Sequence, residues 1–521
     1  MFPFSTQPTL SQAEYSDVGK NASPFQRDIW AQLRADYDKA TRYYSGDIFR
    51  ERVETETGDN DRPLLFPVGI NLVKLITLSM TDALFGEYED SDPVLFVARN
   101  NNKVTPQIKA AIEYLSKVLS FSHAPSTFWE MDFDRNLLGA TVLKITATLS
   151  EFPYIRWMKV PTQNFFPIFH PEDPDDLIEA WMVTVLTQDQ AREVYRIDST
   201  NQFPVKIEHW TKNKYETEID GHKVSAFSGV NPYGVVPFIY IPRLRTTDWY
   251  GESLVKDLYA PQDELNMRLA DIGDTLNFNA HPIIWGLNMP KGFTPANYPL
   301  AANALWDLGR SFGNGQTKPE VGMLQSDNPV PEASFKHIQF VYDWVRTSSF
   351  APPIAFGEDN GGGQRSGVTL EIRLWPLLKA VRRSRAYFTT GLQRAITITG
   401  KILEQKKFSG VEKQIIAGLL SGDVVPQYHH VLPRDQAAVV DEVVKLLSTN
   451  PPAISLETAQ EELGRGMSEV TRIITMMADH PEWFQKAAAL AGANGKSMPM
   501  GDKDQRKAKS EGGQQSGGKE D

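Results

Sequence analysis

The chain has 521 residues, too many for one ordinary core, and 41% of them are hydrophobic, so about three folded units are expected rather than a disordered polymer. Its formal net charge of -11 argues against a conventional DNA binder, which carries a basic patch to release counterions from phosphates; a protein that surrounds DNA and lets it slide is still allowed. It contains no cysteine, which excludes disulfide frameworks, thiolate zinc sites and cysteine nucleophiles together.

Met1 to Gln12 lacks a basic segment followed by an apolar run, and no stretch approaches the roughly 20 apolar residues of a membrane span, so a soluble protein made in the cytosol is expected. Pro24 to Tyr43 has helical spacing. Gly69 to Phe85 places Val73, Ile76, Met80 and Leu84 on one stripe and predicts a core-facing helix. Pro106–Leu119 and Pro125–Leu138 are two more helices. The period then changes. Gly139–Leu149 alternates and is rich in β-branched residues, as a strand would be, and Tyr154–Val160, Ile178–Thr187, Val205–Thr211, Tyr215–Ile219 and Val235–Ile241 follow it. Turns such as Asp220-Gly221 suggest an antiparallel sheet, giving an α+β domain that ends near Arg245.

Gly251 to Asn279 reads as a long helix with a kink or restart at Pro261. His281 to Pro331 is dense in Pro, Gly and Asn and holds short strand-like pieces such as Pro282–Trp285. Helix returns at Glu332–Arg346. Ser348 to Gly367 is too rich in Pro and Gly for regular structure. A helix from Val368 to about Lys407 should bend at Pro376. Several helices are expected over Val411–Leu490, and the tail from Ala491 has the composition of a disordered segment.

Most chemical motifs fail on inspection. Gly495-Lys496-Ser497 resembles the end of a phosphate loop, but Leu490 stands where the first glycine is needed. His429-His430 reads as a surface pair in a loop between helices rather than a metal site. His170 with Glu172, Asp173, Asp175 and Asp176 reads as a solvated acidic turn. No serine occupies a Gly-x-Ser-x-Gly elbow. Two features stand out. Gly361-Gly362-Gly363, with Glu358, Asp359, Asn360 and Arg365, forms a long loop between helices, and such loops usually have a task. The helix after it concentrates Arg373, Lys379, Arg382, Arg383, Arg385 and Arg394.

The order helix, loop-rich module, helix, Gly-rich loop, bent helix resembles the portal proteins of tailed bacteriophages, the long-tailed type above all. Tyr233–Arg245 followed by Gly251-Glu252-Ser253-Leu254 resembles the family's turn from wing sheet to stem helix. Asp263-Glu264-Leu265-Asn266 and Asp271–Asn279 resemble the stem, and Gln364–Leu378 the segment after the tunnel loop. Asn71-Leu72-Val73-Lys74, Leu84-Phe85-Gly86 and Pro452–Leu463 also fit. The resemblance implies an α+β multi-domain portal fold: wing 1–250, stem helix 251–280, small α/β clip 281–331, second stem helix 332–348, tunnel loop 349–366, long bent wing helix 367–408, helical crown 409–490, and a disordered tail 491–521.

It further implies a non-enzymatic protein without cofactor or metal that forms a ring, usually of twelve subunits, at one capsid vertex. The partners would be capsid and scaffolding proteins, terminase, then a head-to-tail adaptor, with double-stranded DNA passing through and no membrane. Assembly would occur in host cytoplasm, and the mature location is the virion. Glu358, Asp359, Asn360, Gly361, Gly362, Gly363 and Arg365 would face the DNA channel. Arg382, Arg383 and Arg385 are candidates for pairing with the next subunit, and Trp285 and Trp306 for clip docking. The competing class is an intracellular enzyme with a carboxylate site in the first α+β domain.

Overall fold

The computed structural model describes residues 22–49, 69–86, 92–99, 104–148, 152–246, 249–280, 283–288, 320–324, 332–357, 367–408, 410–431, 440–441 and 443–446. The chain divides into two compact units, Met1–Val431 and Leu432–Asp521. In the second, the described residues are helical.

The first unit begins with α1 (Pro24–Ser45). Ser23 caps it through a hydroxyl that accepts from the Gln26 amide, Pro24 opens the first turn, and Gly46 closes it at φ 82°. In α2 (Leu72–Phe85) the predicted stripe of Val73, Ile76, Met80 and Leu84 is buried. Strand β1 (Val94–Ala98) was not anticipated. Helices α3 (Pro106–Phe121) and α4 (Ala124–Leu138) each carry a proline in the first turn, where the missing N–H is not needed.

The expected antiparallel sheet is two sheets. β2 (Ala140–Ala147) lies between β3 (Ile155–Val160) and β10 (Phe238–Pro242). The other sheet runs β4 (Phe165–His170), β5 (Asp173–Val185), β6 (Val205–Thr211), β7 (Lys214–Ile219) and β8 (His222–Lys223), with β9 (Gly229–Val230) also on β7. Alternation marks strands but says nothing of partners, so the split was invisible in sequence. Between β5 and β6 lies the unanticipated α5 (Gln188–Tyr195), opened by a reciprocal capping box between Thr187 and Gln190.

The long helix expected from Gly251 starts later. A 3-10 turn at Lys256–Leu258 leads into α6 (Tyr259–Ala280). Pro261 therefore sits in the first turn and begins the helix, instead of kinking it. β11 (Ile283–Leu287) and β12 (Glu320–Leu324) form an antiparallel ribbon, and α7 (Glu332–Ser348) follows. Among its described residues, the segment expected to lack regular structure holds a 3-10 turn, Pro353–Phe356. α8 (Gly367–Lys406) is assigned as one helix of 40 residues with Pro376 inside it, roughly 60 Å of rod. After α9 (Lys413–Leu420) comes β13 (Val424–Tyr428), where helix was expected; it pairs antiparallel with β1, Val94 opposite Tyr428. Residues 413–428, given to the crown by sequence, thus pack on the same core as α3.

Two of the unit's hydrophobic cores run along α8. One joins α3, β2, β3, β13 and the C-terminal half of α8 through Phe388, Leu392, Ile396 and Leu403. The other joins α1, α2, the start of α6, α7 and the N-terminal half of α8 through Leu377, Ala380 and Val381. α8, α2 and α4 each contribute to both.

Candidate functional site

The region expected to form a stem is built from α6 and α7. Leu265 of α6 packs with Val341 and Val345 of α7, with Leu269 and Ile338 beside them. On the outside, His337 Nε2 lies 3.1 Å from Glu264 Oε1, and Arg268 pairs with Glu264 and Asp271 at 2.8 and 3.1 Å.

α6 is held at its base by amide side chains. Gln262 Oε1 accepts from Leu72 N at 2.8 Å, and Asn266 Oδ1 accepts from Ile70 N at 3.0 Å. Tyr43 donates to Asp263 Oδ2 at 2.8 Å and stacks on Tyr259 at 4.2 Å. Two stretches that carried the resemblance, Asn71–Lys74 and Asp263–Asn266, thus meet in one core, through Leu72, Val73 and Leu265. Asn266 closes the backbone at the start of α2, where an aliphatic residue would leave a donor unmet.

The segment that leads toward α6 crosses the end of α4 at two glycines. Gly139 and Gly251 have φ 97° and 91°, and a Cβ on Gly251 would lie 2.4 Å from the Gly139 carbonyl oxygen. Around the crossing, Leu254 N donates to Asn136 O (3.0 Å), Arg243 N to Gly139 O (2.8 Å) and Ser253 Oγ to Leu137 O (2.6 Å). Residues 251–254 and the end of α4 are thus riveted together.

Beneath the crossing lies a charged hub. Arg135 Nη1 donates to Asp132 Oδ1 at 2.7 Å, and Nη2 donates to Ser384 O at 3.0 Å. Both side chains are buried. Burial raises the Asp132 carboxyl to about 6 despite Arg135 and Asn136, and it lowers Arg243 to about 10. A cleft of ≈ 200 Å³ opens beside them, lined in part by Arg243, Glu252, Asp257, Ser348, Arg383 and Ser384.

These buried acids are tied to cations. Asp134 pairs with Lys159 at 3.0 Å, and Glu208 of β6 with Lys144 and Lys206 at 2.6 Å each. Pairs of this kind hold elements together, and they do not supply the free carboxylates that the competing enzyme reading requires. The acidic turn around His170 is the β4–β5 connection, with Asp175 bound to Arg245 at 2.6 Å and Asp173 at 3.8 Å from Arg394. His429-His430 follows a strand rather than linking helices: His429 Nε2 lies 2.9 Å from Asp92 O, and a Cβ on Gly86 would meet His430 O at 2.2 Å.

The expected site residues fall in three groups. Glu358, Asp359, Asn360, Gly361, Gly362, Gly363 and Arg365 lie outside the described residues, as do Trp306 and Gly495-Lys496-Ser497. The near flank of that loop is anchored: Ser349 and Ala351 are buried, and Ala355 and Phe356 pack on the second core. Trp285 on β11 covers Gly322 of β12, where a Cβ would come within 2.5 Å of the indole, and its other face leaves it 45% exposed. Arg382 and Arg383 are exposed on α8, with Arg383 over the Phe350 ring at 5.6 Å.

Arg385 is engaged within its own chain: its guanidinium donates to Leu84 O (2.7 Å) and His429 O (2.8 Å) and covers Tyr428 at 4.9 Å. Sequence could not separate it from Arg382 and Arg383, because only the helix orientation distinguishes them. The glycine crossing and the amides Gln262 and Asn266 were missed as functional positions. Gly251 was quoted as part of a likeness, but nothing in a lone sequence shows which glycine faces another backbone.

A large part of the apolar surface of α6, α7 and the start of α8 remains in water. Phe335, Phe340 and Trp344 are exposed on α7, Met267 and Leu276 on α6, and Ile372 and Trp375 on α8. Exposed large apolar side chains concentrated on neighbouring helices in this way mark contacts with another chain. No described helix is long and apolar enough to cross a membrane.

The profile of the family described as "Phage portal protein, SPP1 Gp6-like" matches residues 25–465. Over that span the chain is a phage portal protein. It belongs to the SPP1 Gp6-like family of them. No curated protein matches it.

Proposed function

We propose that copies of this chain close into a ring, of twelve subunits in the virion, at one capsid vertex of a long-tailed phage. Double-stranded DNA enters and leaves through the ring. The α6–α7 pair is the stem along the channel, the β11–β12 ribbon belongs to the clip, and the loop 349–366 reaches toward the duplex with Glu358, Asp359, Asn360, Gly361–Gly363 and Arg365. The clip, with Trp285 and Trp306, receives the terminase motor during packaging and a head-to-tail adaptor afterwards. Capsid and scaffolding proteins meet the wing. The crown begins after Val431, since residues 413–428 pack on the wing core. The portal makes and breaks no bond, and the energy of packaging comes from the motor.

The observation that carries this reading is the exposed apolar face of the stem pair, above all Phe340 at 67% and Trp344 at 48%. A head-to-tail interface repeated about one axis buries such a face and closes without ends. The acidic net charge of -11 suits a channel that must release phosphates as readily as it meets them. Negative-stain imaging and native mass spectrometry of the purified protein test the reading. Closed rings with an axial hole are expected. A population of monomers at all concentrations and salts would refute it.

A further inference from the structure

The following rests on the ring reading and adds which faces meet. We propose that the outer stripe at the start of α8 in one subunit packs on the outer face of the α6–α7 pair in the next. On α8, Ile372, Trp375, Lys379 and Arg382 follow at steps of three, four and three residues and so share one stripe. Ile372 is 68% and Trp375 53% exposed, and Lys379 Nζ lies 5.2 Å from the centre of the Trp375 ring. The stripe is apolar at one end and cationic at the other. Glu371 is the single carboxylate of residues 367–385, against Arg373, Lys379, Arg382, Arg383 and Arg385.

The α6–α7 pair has the complementary character. Phe340 and Trp344 stand one helical turn apart and exposed, with Asp343 between them in sequence. The Asp343 carboxylate accepts only a neutral amide, from Gln339 at 3.1 Å, among the contacts of the described residues. Along the two helices carboxylates outnumber cationic side chains: Asp263, Glu264, Asp271, Asp274, Glu332 and Asp343 face Arg268, Lys336 and the buried Arg346. One surface is thus aromatic and acidic, the other aromatic and basic.

Both helices turn their buried sides, Val341 and Val345 on α7 and Leu377, Ala380 and Val381 on α8, toward one core. Both stripes therefore face outward. A ring needs two different outward faces on each subunit, matched to one another, whereas a two-fold dimer needs one face matched to itself. Opposite charge on the two faces favours the head-to-tail pairing and opposes like-to-like contact.

The chain has no cysteine, so a W344C/W375C variant carries only the two introduced thiols. Assembled rings treated with a short bis-maleimide and run on a denaturing gel are expected to give a ladder of covalent multimers, while either single variant stays monomeric. Rings of the double variant that yield no ladder overturn the pairing. Should the loss of both indoles prevent assembly, charge decides: K379E is expected to raise the protein concentration for half-assembly by at least about tenfold, and D343K added to it to restore assembly. K379E rings that form as the wild type does, or a D343K/K379E variant no better than K379E, also overturn the pairing. If K379E lowers DNA retention and leaves assembly intact, Lys379 meets phosphate and the inference falls. A wild-type chain that is monomeric throughout removes the ring reading itself, a result the wild-type control shows independently of any variant.

Discussion

Replacing Glu208 by glutamine tests the charge cluster that joins the sheet of β2 to the sheet of β6. The Glu208 side chain on β6 is 10% exposed and accepts from Lys144 of β2, from Lys206 and from Trp210 Nε1, the last at 3.0 Å. Burial pushes its carboxyl up, but the two ammonium groups outweigh that and hold it down to about 2. Relative to an ordinary glutamate near 4.3, the difference is worth about 3 kcal/mol. Glutamine would also leave two buried ammonium groups without their anion, so the cost at neutral pH is about 3–5 kcal/mol.

The sign with pH follows from the depressed folded value. The stabilisation is whole above ~4.3 and disappears as pH falls toward about 2, so the gap between wild type and E208Q should narrow on acidification. Urea unfolding at pH 7 and pH 3, followed by tryptophan fluorescence, measures it; Trp210 in the cluster is a local reporter. A companion variant, K144M/K206M/E208L, replaces the cluster by apolar side chains and should recover most of the loss, because it removes the desolvated charges together. An E208Q protein with a wild-type midpoint at pH 7, or a gap that widens in acid, would refute the reasoning.

Gly251→Ala sets a Cβ 2.4 Å from the Gly139 carbonyl at φ 91°, and should lower stability by about 2 kcal/mol or more, visible as a reduced melting temperature or loss of soluble protein. Gly322→Val displaces the Trp285 indole; a shifted tryptophan emission with rings still assembled is the expected result, and an unchanged spectrum counts against the β11–β12 packing. Trp285→Ala should weaken binding of terminase and adaptor to assembled rings in a pull-down, and full binding of both would remove the docking role. Prolines in place of Gly361, Gly362 and Gly363 should impair DNA packaging into proheads without loss of rings, since a stiff loop cannot follow the duplex.

Local signals were legible wherever one segment sufficed. The stripe of α2, the presence of β2 and the identical bounds of β6 followed from side-chain pattern alone, although β2 is buried on both faces over residues 140–145 instead of alternating. Of the two expectations at Pro261, the restart holds and the kink does not: a proline inside a helix and one in its first turn look alike until the start is known, and here Gln262 and Asn266 grip residues 70–72. β13 was hidden because its partner, β1, lies more than 300 residues earlier, and five residues containing Pro426 carry a weak strand signal of their own. The same distance hid the role of Arg385, whose acceptors come from Leu84 and His429. The portal resemblance rested on the order of segments, and two of them proved to be in contact.

The two halves of α8 are embedded in different hydrophobic surroundings, Leu377–Val381 in one and Phe388–Leu403 in the other. A close-packed interior does not deform by degrees, so such a rod cannot tilt at one end while the other stays still. It acts as a splint: a change that shifts it is felt in both interiors, and the strand ending at Tyr428 leans on it midway, at Arg385 and Thr389.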